Sequence, residues 1–116
     1  MEHAELPLFT HWERTLKDLL CRTQKFPKAV RFTFTTRIDG LTLDVLEHIV
    51  AARWSAGRDK TAVLKAANLS IEKLRILLRI THDLEYLDHR GYEVVARNLD
   101  EAGRMIGGWL KQQAGK

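Results

Sequence analysis

The sequence has a single cysteine, Cys21, so no disulfide forms within the chain. None is needed, because 116 residues bury roughly two-thirds of the surface that the unfolded chain exposes. Two prolines and seven glycines are too few for an all-β chain, since sandwiches and barrels need turn residues about every 8 to 12 positions. No stretch approaches the roughly 18 to 20 uncharged apolar residues of a membrane span. Disorder is excluded by 45% hydrophobic residues against 29% charged ones. The opening run Met1-Glu2-His3-Ala4-Glu5 lacks the basic-then-apolar order of a secretory signal. One soluble domain over residues 1–116, in the reducing cytoplasm and away from membranes, is the expectation.

Catalytic constellations are also missing. A carboxylate-bridged di-iron bundle needs Glu-x-x-His on two helices, and no Glu here has a His three residues later. There is no His-Glu-x-x-His motif, no Gly-x-Ser-x-Gly elbow, no glycine-rich phosphate loop before a lysine and no Cys-x-x-Cys pair. His48 and His82 fall at the edges of apolar stripes and read as packed residues, while His3, His11 and His89 read as exposed. Cys21 lies among cations with no base nearby in sequence. A protein that is not an enzyme, with no metal and no cofactor, is expected.

What is present is helical periodicity. Pro27 and Pro7 stand near the front of periodic segments, where a missing N–H costs little. Four helices are predicted, at about residues 8–24, 28–55, 59–87 and 89–113. Placed at about 100° per residue, Leu8, Phe9, Trp12, Leu16, Leu19 and Leu20 share one face of the first. Val30, Phe34, Ile38, Leu41, Val45, Ile49 and Ala52 do so in the second. The third has Val63, Ala67, Leu74, Leu77, Leu78, Thr81 and Leu84, and the fourth Tyr92, Val95, Leu99, Ala102, Ile106, Trp109 and Leu110. Asp59 and Asp88 are candidate N-caps. The fold class is therefore all-α, an up-down-up-down four-helix bundle whose middle helices run about 42 Å.

Further apolar rows lie away from these core faces. Phe32, Thr36, Leu43, Val50 and Trp54 form one on the second helix, and Ala62, Leu69, Ile76, Ile80 and Leu87 another on the third. Exposed strips of that length mark contact with another chain, so a homo-oligomer is expected. The alternative is a wide core stripe on helices less regular than the wheel.

Charge is uneven as well. Residues 14–37 hold Arg14, Lys17, Arg22, Lys25, Lys28, Arg31 and Arg37 against the single acid Asp18, a balance of +6 in a chain whose total is +4. Such a concentration attracts polyanions. Arg90, Arg97, Arg104 and Lys111 recur every seven residues along the fourth helix, a rise of roughly 10 Å per step that could follow a nucleic-acid backbone. The competing reading pairs Glu93 with Arg97 and Asp100 with Arg104 as solvated intrahelical ion pairs. Arg75 and Arg79 are candidates too, or partners of acids on a neighbouring helix. Gly103 and Gly107 read as positions of close helix approach.

Three runs carry a resemblance. They are Lys25-Phe26-Pro27-Lys28 with Arg31-Phe32 and Arg37-Ile38, then the segment from Lys73-Leu74-Arg75-Ile76 through Thr81-His82-Asp83-Leu84, then the segment from Asp100-Glu101-Ala102 through Leu110-Lys111, whose most specific part is Gly103-Arg104-Met105-Ile106-Gly107-Gly108-Trp109. From about Phe9 to Lys111 the chain resembles a small four-helix-bundle family. That family includes the accessory variability determinant (Avd) proteins of diversity-generating retroelements and the proteins encoded by intervening sequences in 23S ribosomal RNA genes. The resemblance implies a barrel-like homopentamer with a basic surface. In the retroelement branch it implies association with a reverse transcriptase and template RNA to support mutagenic cDNA synthesis, without catalytic residues of its own. The alternative is an oligomeric scaffold or protein-interaction module of the ribosomal type.

The candidate contacts to RNA or DNA are Arg14, Lys17, Arg22, Lys25, Lys28, Arg31, Arg75, Arg79, Arg97, Arg104 and Lys111. By resemblance Arg37 joins them, with Arg31, Arg37 and Arg104 equally suited to holding the bundle together. The candidate subunit contacts are Phe32, Leu43, Val50, Trp54, Leu69, Ile76, Ile80 and Leu87.

Overall fold

Pro27 ends the first helical stretch and opens the next, but the backbone beyond it does not enter an ordinary α-helix at once. The computed structural model describes residues 5–115. It contains α1 (Glu5–Thr23), α2 (Thr36–Arg53), α3 (Gly57–Asp83) and α4 (His89–Ala114). A 3-10 turn (Lys28–Val30) and a π turn (Arg31–Thr35) separate α1 from α2. The expectation of a single helix over 28–55 is therefore corrected: the 18 residues of α2 span about 27 Å and the 27 of α3 about 40 Å. The cause is local. Thr33 Oγ donates to the Val30 carbonyl at 3.2 Å and Thr36 Oγ to the Arg31 carbonyl at 2.6 Å, and the Thr36 N–H also reaches Arg31. These hydroxyls compete for carbonyls that a regular α-helix would use, and the turn widens.

Each helix packs on the next and α4 closes onto α1. Short links make neighbours antiparallel, giving an up-down-up-down bundle of 47 × 24 × 20 Å. Its core is filled by Leu8, Trp12 and Leu19 from α1, Ile38, Val45 and Ile49 from α2, Leu64, Ile71, Leu74 and Leu78 from α3, and Val95, Leu99, Ile106 and Trp109 from α4. Each large aliphatic side chain so buried contributes about 1.5–3 kcal/mol. Trp12 Nε1 donates to the Thr42 carbonyl at 3.0 Å, satisfying a polar atom that burial would otherwise strand.

Three details depart from the periodic reading. On α3 the inner face includes Leu64 and Ile71, whereas Leu84 is 48% exposed. Asp59 lies inside the first turn of α3, whose N-cap position is Ala56. At the far end α3 stops at Asp83, where Glu85 N–H reaches the His82 carbonyl at 3.0 Å and Tyr86 N–H the Thr81 carbonyl at 2.9 Å. That is a Schellman turn with Glu85 at φ 66, the left-handed position usually given to glycine. The reversal carries Leu87 into the core at 5% exposure, so Leu87 is removed from the candidate subunit contacts: a buried side chain offers no surface to a partner. Asp88 caps α4 as anticipated, accepting from Gly91 N–H at 2.7 Å.

Candidate nucleic-acid interface

The topology puts the end of α1, both turns before α2, the end of α3 and the start of α4 at one end of the bundle. Rings tie that end together, with Tyr86 lying 6.2 Å from Phe26 and 6.3 Å from Phe34 between ring centroids. Lys25, Lys28 and Arg31 are exposed on these turns, and Arg14 and Lys17 are exposed on the outer side of α1. Among the described residues none of these five has an ion-pair partner. Arg22 is different. Its Nε lies 2.8 Å from Asp18, and its guanidinium rests where a Cβ on Gly91 of α4 would stand 2.6 Å away, so it is a link between α1 and α4.

Along α4, Arg90, Arg97, Arg104 and Lys111 are all exposed, as the spacing of seven anticipates. The anticipated pairs of this row do not form. Glu93 meets His89 at 2.9 Å and Asp100 meets Arg75 of α3, so among the described residues Arg97 keeps no acidic partner. Arg104 is paired with Glu101. Arg75 is held between Asp100 and Glu72, with Nε 3.1 Å from Glu72 at an angle too oblique for a hydrogen bond. Its Nη2 would lie 3.1 Å from a Cβ on Gly103, so the missing side chain at Gly103 accommodates Arg75, whereas Gly107 faces open space. Arg79 is exposed and, among the described residues, unpaired.

The apolar rows fall on the surface for the most part. Leu43, Val50 and Trp54 of the α2 side are 42%, 42% and 80% exposed, and Leu69 and Ile76 on α3 are 57% and 50% exposed. Ile80 is half-buried. The Arg53 guanidinium stands 5.6 Å from the Trp54 ring. Phe32 is set apart from this row, because the π turn places it with Phe34, Arg37 and Leu41 opposite Lys73, Ile76 and Leu77 of α3. These residues line an open groove of about 640 Å³.

Four cations, at two places in the fold, were not among the sequence candidates. Lys73 joins Arg37 only through the packing of α3 on the π turn, a tertiary juxtaposition with no sequence signal. At the other end Arg58, Lys60 and Lys65 surround the start of α3, where Asp59 masks the cluster in a simple charge count. His48 and His82 are half-buried, and His82 stacks on Tyr92 with centroids 4.6 Å apart. His11, read as exposed, is instead half-buried and bonded to the Asn98 carbonyl at 2.8 Å. His3 lies outside the described residues. Among the described residues no three His, Cys, Asp or Glu side chains converge on a common point, and no helix is long and apolar enough to cross a membrane.

A family model described as bAvd-like matches residues 9–113. No curated protein matches the chain.

Proposed function

The chain belongs to the bAvd-like family, and from that premise we propose that it is a non-catalytic accessory protein of a diversity-generating retroelement. In this role it binds the template RNA electrostatically, associates with the reverse transcriptase and supports mutagenic cDNA synthesis. The observation that carries the reading is the set of exposed cations that, among the described residues, have no acid paired with them: Lys25, Lys28 and Arg31 at one end, Arg14 and Lys17 on the outer side of α1, and Arg90, Arg97 and Lys111 along α4. Cations of this kind release counterions from a nucleic-acid backbone, whereas paired ones such as Arg75 and Arg104 have already lost much of that capacity. The assembly proposed with it is a homopentamer. Five chains at +4 each sum to about +20 and concentrate the field around one particle.

The test is a titration of structured RNA into the protein over a range of salt. Affinity of the unaltered chain falls as salt rises. Changing Lys25, Lys28 and Arg31 together to Glu lowers it steeply, on the order of 100-fold or more at low salt, while far-UV circular dichroism and particle mass stay the same. Unchanged affinity in the triple variant refutes the assignment of these residues.

A further inference from the structure

We propose that the groove between the π turn and α3 is a binding site for single-stranded nucleic acid, in which an unpaired base stacks on Phe32 while Arg37 and Lys73 hold the adjoining phosphates. The inference rests on the nucleic-acid reading above and adds to it a location and a form of ligand. Phe32 is 87% exposed, an aromatic face held in water by the π turn. Arg37 and Lys73 are exposed and, among the described residues, have no ion-pair partner, and no acid lines the groove. An aromatic face flanked by unneutralised cations is the arrangement on which single strands stack and neutralise together.

The hydroxyls of the groove decide how it reads a base. Thr33 and Thr36 both donate to backbone carbonyls of their own turn. The remaining lining is aliphatic or aromatic apart from the two cations, so the groove holds few groups able to distinguish base edges. Binding is therefore tolerant of sequence. Base pairing, in contrast, removes the ring faces from reach, so Phe32 contributes nothing to duplex affinity. A protein ligand is the less favoured occupant because the cations do not end at the groove. Lys28 and Arg31 continue the charge along the preceding turns, which suits a polyanion longer than one acidic segment.

The test compares a short labelled oligouridylate with an RNA duplex of equal length, by fluorescence anisotropy at one salt concentration. Phe32→Ala is expected to weaken oligouridylate binding roughly 5- to 100-fold, Phe32→Trp to retain it, and neither to alter duplex affinity. Replacing uridine by adenosine or deoxythymidine leaves the Phe32 dependence in place. An equal loss for both probes, or no loss for either, overturns the site. So does a drop in particle mass on Phe32→Ala, which assigns the ring to a subunit contact, or a loss confined to polymerase binding, which assigns the groove to a protein. If the unaltered chain binds neither nucleic acid, the accessory reading falls with it. If it binds both and Phe32→Ala changes nothing, only the groove site falls.

Discussion

Arg75 and Arg97 carry equal charge on neighbouring helices, yet their surroundings assign them opposite tasks. Arg75 is half-buried between Asp100 and Glu72, crossing from α3 to α4 over the space left by Gly103. Arg97 is exposed and, among the described residues, has no acid beside it. A cation already matched by carboxylates releases few counterions from RNA, while an unmatched one contributes fully to the salt dependence. Arg75→Ala is therefore expected to lower unfolding stability by about 1 kcal/mol in urea titrations and to leave the slope of log affinity against log salt unchanged. Arg97→Ala is expected to do the reverse, leaving stability within about 0.5 kcal/mol and reducing that slope by about 0.7 to 0.9. Arg22 belongs with Arg75, since its contacts with Asp18 and the start of α4 make it a tie between helices before it is a surface charge.

At the scale of the elements, the turn after α3 sets where the chain re-enters the core. Glu85 at φ 66 lets Tyr86 pack between Phe26 and Phe34 and brings Leu87 inside. A side chain there is strained by crowding between its Cβ and the backbone. Glu85→Gly removes that strain and is expected to raise unfolding stability by about 1 kcal/mol, read as a higher urea midpoint with an unchanged slope. The same turn shows where sequence reading stops. Core stripes on α1, α2 and α4 were legible because a 3.6-residue period reports which side of a regular helix is dry. The period carries no information about where regularity ends, so Leu84 and Leu87 were assigned to the wrong sides of a helix that has already turned. At the start of α2 the threonine hydroxyls widen the backbone and take Phe32 out of line with Leu43. The cations of the candidate site were legible as a charge imbalance. Their division into paired and unpaired was not, because Asp100 takes Arg75 from another helix instead of Arg104 from its own.

For the whole molecule, the homopentamer proposed above fixes the kind of contact that one bundle would have to make with the next. A ring with an odd number of subunits cannot use one self-complementary patch, since each chain must offer two different surfaces, one to each neighbour. Among the described residues, apolar strips are exposed on two helices, Leu43, Val50 and Trp54 on the α2 side and Ala62 and Leu69 on α3. A contact in which one strip meets the other strip of the next copy is the head-to-tail contact a pentamer requires, and a test separates it from a face-to-face dimer. Leu43→Glu alone is expected to reduce the mass measured by light scattering toward that of a single chain, because it buries an unpaired charge in every contact. In a ring where the strip on α2 faces the strip on α3 of the next copy, adding Leu69→Lys to the same chain restores the assembly, each glutamate now meeting a neighbour's lysine. In a dimer joined α2 to α2, that second change does nothing. There the assembly returns only when a Leu43→Glu chain is mixed with a Leu43→Lys chain. Recovery in the doubly substituted chain supports the ring. Recovery only in the mixture replaces it with a dimer, and a single-chain mass for the unaltered protein removes the contact altogether.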